Sequence, residues 1–281
     1  MAGVSWHVLF DIRWVGQEGV NMSFDESVSV ANLLRCFRDS LIGRNVKGIV
    51  HNMNSPLQVL SMHMELLAMD LGRLSTLMDK PDEMTSGISQ AVKRIEQLED
   101  IVSKINDMVR LLGIRAHDEE QEQEKEDGPV MVSQMLMETI EFWKADLFFK
   151  HKVGIELSFP EASPVLVLNE HHVRDGLDGI FFYLIGLLRN AQEPGLEISI
   201  SGAKDGTVSV GFFPKGALIP IEKMQRVSSI SNERDLAEDF HSLIVEPVTL
   251  AMAMAKTSLE KAGAELKIAK DGLVVKLKNS S

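Results

Sequence analysis

The stretch VKGIVHNMNSPLQVLSMHMELLAMDLGRLSTLM, residues 46–78, sets Val46, Val50, Met53, Leu57, Leu60, Met64, Leu67, Leu71, Leu74 and Met78 at alternating spacings of four and three. On a helix that spacing keeps one apolar stripe in line for more than four heptads, which is coiled-coil-like packing. The run DKPDE (79–83) then breaks the helix, because a proline removes a backbone donor and crowds the preceding turn. A second seam follows in Ile88, Val92, Ile95, Leu98, Val102, Ile105, Val109 and Leu112, irregular only near its middle. Two long helices joined by a short turn make an antiparallel hairpin. One hairpin offers each seam a single neighbour, whereas two hairpins from two chains close a four-helix bundle. A homodimer is therefore expected.

The rest of the chain bounds this reading. Its 281 residues are 44% hydrophobic and 25% charged, enough to bury a sizeable core. A net charge of −12 without any basic run excludes a general affinity for nucleic acid or for anionic membrane. Apolar runs such as IFFYLIGLL are too short to span a bilayer. The single cysteine, Cys36, rules out an intrachain disulfide framework and fits a reducing compartment, so a cytoplasmic location is expected. Residues 1–26 read as an extension, non-native or disordered. They do not resemble a signal peptide, and a purine-rich coding stretch for Gln17-Glu18-Gly19 would suit a translation start at Met22.

The segment AHDEEQEQEKEDGP (116–129) has no apolar period, is strongly acidic and ends in Gly-Pro, so it reads as a solvated linker. Beyond it the period changes. Residues 133–149 read as a helix with Ser133 as N-cap. VGIELSF and PVLVLN (164–169) read as strands, and VRDGLDGIFFYLIGLLRNAQE as a helix with a wide apolar face. LEISISG and TVSVGFF are alternating strands, 246–262 is a further helix, and AELKIAK pairs with LVVKLKN across Asp271-Gly272, a strong hairpin-turn signal. Helices alternating with antiparallel strand pairs imply an α/β layer with helices on one sheet face.

Within the first seam, His51 falls just off the apolar stripe, with Lys47 one turn before it, Ser55 one turn after and Arg44 a further turn back. An exposed imidazole between a cation and a hydroxyl can carry a phosphoryl group, the neutral ring nitrogen acting as nucleophile and Lys47 offsetting charge on the transferring oxygens. The order HNMNSPL resembles the H-box of two-component sensor histidine kinases, with His51, Ser55, Pro56 and Leu57 at matching offsets. In that family the H-box lies on the first helix of a dimeric hairpin, and the proline bends the helix beside the phospho-accepting histidine. Strain retained at a functional position explains Pro56 on this reading.

The resemblance implies that residues 130–281 correspond to the family's ATP-binding domain. LIGLLRNAQE is similar to its N-box, with Asn190 and Ala191 matching and Gly186 in place of the first asparagine. TLAMAMAKTSLEKAGAEL falls in register with a phosphate-loop pattern, but Thr249 and Ala251 replace the two glycines that let backbone approach phosphates. Where the family carries an aspartate for the adenine amino group, the chain reads VGFFPKGALIP, with no acidic residue from Thr207 to Pro220. Asn52 replaces the acidic residue beside the histidine that serves as general base, and an amide cannot take that proton. Asn190 is the residual cofactor-binding match. A lone asparagine cannot make a magnesium site, and it reads as a helix amide satisfied locally. His171-His172 is no metal pair, because adjacent helical residues point apart.

The sequence thus predicts an α+β protein: a helical hairpin (27–115) forming a dimeric four-helix bundle, an acidic linker (116–129), and an α/β two-layer sandwich of the histidine-kinase ATPase type, degenerate at its nucleotide site (130–281). Its expected activity is histidine phosphotransfer through His51 with response-regulator receiver domains, without ATP, magnesium or another metal as cofactor. Arg44, Asn54 and Gln58 would meet the regulator beside Lys47 and Ser55. The alternatives are a pseudokinase that only docks partners, an autokinase with an atypical ATP site, and a phosphatase using Ser55 to position water.

Overall fold

The computed structural model describes residues 30–74, 80–115, 127–202, 206–230, 236 and 247–279. The N-terminal extension and most of the acidic linker lie outside these residues.

Helix α1 (Val30–Leu74) runs through Pro56 without interruption, and α2 (Pro81–Arg115) packs along it. Pro81, read as a breaker, is the first residue of α2, where its missing N–H costs nothing. Asp82 and Glu83 complement the positive end of the same helix. Near the turn a Cβ at Gly87 would stand 2.7 Å from Leu74 Cδ2, so the helices approach closely there. Further along, Arg94 Nε donates to Asp70 Oδ2 at 2.5 Å and ties the two helices together. The seam splits into two rows. Met53, Leu60, Leu67 and Leu74 are half-buried, whereas Val50, Leu57, Met64 and Leu71 are 41–58% exposed. Ile88, Val92, Ile95, Val102 and Val109 of α2 are exposed to a similar degree, so the hairpin carries an apolar band on both helices.

The C-terminal part is a two-layer arrangement. Its elements are β1 (Gly128–Met131), α3 (Val132–Trp143), α4 (Leu147–Lys152), β2 (Gly154–Ser158), β3 (Val165–Leu168), α5 (Glu170–Leu188), β4 (Gly195–Gly202), β5 (Val208–Lys215), α6 (Ile221–Ser229), α7 (Pro247–Lys261), β6 (Glu265–Ile268) and β7 (Leu273–Leu277). Five strands form one sheet in the order β2-β4-β5-β7-β6. The pairs are antiparallel except β2 with β4, which is parallel because β3 and α5 form a crossover between them. Strand β1 pairs with β3 in a separate two-stranded sheet.

Three local expectations change. The end of the acidic stretch is not linker, since Gly128 and Pro129 begin β1, and an edge strand tolerates a proline. The helix expected over 133–149 is interrupted at 144–146. Asp146 restarts it by accepting the N–H groups of Phe148 and Phe149 at 3.0 and 3.1 Å. Ser133 is not a cap; its hydroxyl meets that of Ser163 at 2.5 Å, and α3 begins at Val132 without a side-chain cap.

One face of the large sheet is apolar. Leu196, Ile198 and Ile200 of β4 are buried, with Glu197 and Ser199 between them half-exposed, and Val210, Phe212, Leu273 and Val275 continue the buried face. Helices α5 and α7 close that face and cross tightly. A Cβ on Gly179 would lie 2.8 Å from Ala255 Cβ, and one on Gly176 would lie 2.4 Å from Leu259 Cγ. Phe181 at the centre stacks on Trp143 and meets Phe149 and Phe212 edge-on, the latter two at 5.8 Å.

Candidate functional site

His51 lies on α1 with an exposed side chain, and so do Lys47, Asn54, Ser55 and Gln58. Spacings of four, three and four bring these residues onto one stripe of the helix beside the apolar band. Pro56 has no N–H for the carbonyl of Asn52, so the backbone next to His51 keeps an acceptor outside the helical ladder. A ring nitrogen in this setting can attack an electrophilic phosphorus, with Lys47 one turn away to meet negative oxygens.

The adjoining face of the same helix is engaged by the C-terminal part. Asn52 accepts a hydrogen bond from Lys150 Nζ at 2.8 Å and donates Nδ2 to the Lys144 carbonyl at 3.4 Å. One turn earlier, Gly48 sits directly against Ala145, where an added Cβ would fall 1.9 Å from the carbonyl oxygen. Leu41 and Ile49 are buried in the same apolar core as α5. The amide at position 52, which cannot act as a base, works as a two-sided contact.

Arg44, expected to meet a partner, is half-buried against the C-terminal part. Its guanidinium lies over the Phe182 ring at 4.9 Å and donates to Asp146 Oδ2 at 3.4 Å. Burial lowers its pKa from the ordinary arginine value, partly offset by Asp146. Arg189 donates to the same carboxylate oxygen at 2.6 Å, so Asp146 caps α4 and holds two arginines at once. Asp146, Gly48 and Lys150 were missed in the sequence. An aspartate just before LFF is an N-cap signal, and a glycine inside a strong helical pattern marks a close approach. Nothing local singled out Lys150.

Deeper anchoring comes from the end of α2. Arg115 is buried, donating to Asp178 at 3.0 and 3.3 Å, with its guanidinium 4.0 Å over the Phe142 ring. Trp143 Nε1 donates to the same carboxylate at 2.8 Å.

The residues matched to a nucleotide site lie on β5, on α5 and just after it, and on α7. Asn190 is not on the helix; α5 ends at Leu188, and Asn190 is exposed in the following turn. Gly186 faces Val248 of α7. Thr249 and Ala251, standing for the phosphate-loop glycines, are buried within α7, and Phe212 is fully buried in the core. Among the described residues no group of three or more His, Cys, Asp or Glu is arranged to hold a metal ion, and no helix is long and apolar enough to cross a membrane. His171 receives Arg38 Nη1 at Nε2, 2.5 Å away.

No protein-family model matches the chain, and no curated protein matches it. Solved structures similar to it include the histidine kinase AdeS of Acinetobacter baumannii, at 13% identity and TM-score 0.40, covering 82% of this chain and 98% of that one. A bacterial phosphotransferase solved at 1.7 Å is 12% identical at TM-score 0.39, covering 88% and 96%. A mycobacterial sensor histidine kinase, MprB, is 11% identical at TM-score 0.37, covering 53% and 94%. Likenesses this remote carry no argument here, and the functional reading rests on the residues.

Proposed function

We propose that the protein is a two-component signalling protein, a homodimeric histidine phosphotransferase that accepts and donates a phosphoryl group at His51 without using ATP. In the forward step a ring nitrogen of His51 attacks the phosphorus of a regulator's aspartyl phosphate. The N–P bond forms as the acyl P–O bond breaks, and the aspartate leaves as carboxylate. Donation to a second receiver is the reverse. Lys47 meets the phosphoryl oxygens, and Asn54, Ser55 and Gln58 face the regulator.

The observation that carries this reading is the division of α1 around His51. The imidazole and its polar stripe are exposed, one neighbouring face is an apolar band suited to a second copy, and the other is held by Asn52 and Gly48 against the C-terminal part. Loss of ATP use is supported by the amide at position 52 and by a buried phenylalanine near the position expected for the adenine-reading acid.

The test is label transfer from a receiver domain phosphorylated with acetyl phosphate. Label should reach the wild-type protein and not His51→Ala, and ATP with magnesium should label neither. Retained regulator binding without any transfer would leave only the docking reading, and labelling by ATP would return the protein to the autokinases.

A further inference from the structure

Contacts in line along α1 fix the segment 144–150 against it. Arg44 donates to Asp146 Oδ2 at 3.4 Å, Gly48 leaves no room for a side chain beside the Ala145 carbonyl, and Asn52 Nδ2 donates to the Lys144 carbonyl at 3.4 Å. Asp146 in turn caps α4, and its carbonyl accepts the Lys150 N–H at 2.9 Å, closing the first turn of that helix. The start of α4 is thereby set on the side of α1 that carries Arg44. His51 follows Arg44 by seven residues, about two turns, and so leaves the helix on nearly the same side.

Lys150 is the cation that this arrangement brings toward the phosphoacceptor. Its ammonium is exposed and donates to Asn52 Oδ1 at 2.8 Å, on the residue next to His51. The neighbouring cations are held by carboxylates: Arg44 and Arg189 share Asp146, and Lys144 pairs with Glu141. Among the described residues no carboxylate holds Lys150, and its acceptor is a neutral amide. A phosphoryl oxygen on His51 is an anionic acceptor and a stronger partner than an amide. A flexible four-carbon stem lets the ammonium pass from one to the other.

We infer that Lys150 binds the phosphoryl oxygens during transfer to and from His51, from the flank opposite Lys47, exchanging the Asn52 amide for them. The inference rests on phosphotransfer at His51 and gives the C-terminal part a direct share in a reaction that uses no ATP. No bond to Lys150 forms or breaks. It stays an ammonium and donates N–H to the oxygens while the acyl P–O bond gives way to the N–P bond.

The experiment is the rate of label transfer from a receiver domain phosphorylated with acetyl phosphate to the full chain. Lys150→Ala should slow transfer about tenfold or more, and Lys150→Arg should restore most of the rate. Asn52→Ala removes the amide but leaves the ammonium, so it should slow transfer no more than about threefold. Calorimetric affinity for the unphosphorylated receiver should be the same in Lys150→Ala as in the wild type. Transfer at the wild-type rate in Lys150→Ala overturns the inference and leaves phosphotransfer at His51 standing. An equal loss in Asn52→Ala and Lys150→Ala also overturns it, since the lysine would then act only as a clip between the two parts. Receiver affinity falling by the same factor as the rate overturns it too, by reducing Lys150 to a docking contact. Absence of label on the wild type overturns the phosphotransfer reading itself, and this inference with it.

Discussion

Asn52 shows how much one side chain decides. Next to the histidine an acid would serve as base, whereas the amide both donates to Lys144 and accepts from Lys150. Asn52→Asp keeps the lysine and sets a carboxylate against the Lys144 carbonyl. Under the proposal it restores no ATP labelling, which an autophosphorylation assay checks. Glu138 carries a clear pH signature. Burial alone would raise its pKa, but hydrogen bonds from Arg110, Arg174 and Gln134 outweigh it and hold the carboxyl below its usual value. Its contribution is therefore complete above the unfolded carboxylate range and is lost as pH falls through the lowered folded value. Glu138→Gln should cost about 1–2 kcal/mol near neutral pH, because it weakens the bonds from Arg110 and Arg174 while Glu170 still pairs with Arg174, and should flatten the acid limb of stability. Urea unfolding across that limb measures both. Tyr183, the chain's single tyrosine, is buried with no partner for its hydroxyl among the described residues, and burial pushes its pKa up. Tyr183→Phe should leave stability unchanged or raise it by about 1 kcal/mol in thermal unfolding, since an unmatched hydroxyl is removed.

At the scale of elements, the junction between α1 and the α3–α4 turn is the vulnerable contact. Gly48→Ala puts a methyl group into the Ala145 carbonyl, and packing cannot relax around backbone on both sides. It should destabilise by about 3 kcal/mol or separate the hairpin from the C-terminal part, visible as new protease sensitivity near residues 144–152. The sequence made the seams, the strands and the Asp271-Gly272 turn legible, because each rests on local periodicity or turn chemistry. The break at 144–146 was not legible, because the apolar pattern runs on through WKADLFF and only Asp146 marks a restart. Strand β1 was hidden for a different reason: Gly-Pro reads as linker until β3 supplies a partner. The parallel pairing of β2 with β4 depends on a crossover that no strand contains in its own residues. At the candidate site, helical spacing alone placed Lys47, His51, Asn54, Ser55 and Gln58 on one stripe. The turn of Arg44 toward Asp146 and Phe182 depended on a segment about 100 residues away in sequence, beyond the reach of local pattern.

For the whole molecule, the exposed band of Val50, Leu57, Met64 and Leu71 with Val92, Ile95 and Val102 is the basis for proposing a dimer. A patch of that extent on a hairpin is a surface awaiting a partner. Val50→Glu with Val92→Glu should shift sedimentation toward the monomer while leaving the C-terminal part folded. The ion pairs and buried contacts of both helices at the open end of the hairpin, opposite its turn, hold the second part beside the His51 stripe, so a regulator arriving at His51 would meet both. The central claim is that His51 carries phosphate supplied by a partner. Its most direct test is mass spectrometry of the protein after incubation with a phosphorylated receiver domain, under alkaline conditions that preserve phosphohistidine. The account predicts an added phosphoryl group localised to His51 and absent from His51→Ala. An unmodified His51, or a phosphoryl group found elsewhere on the chain, would contradict it.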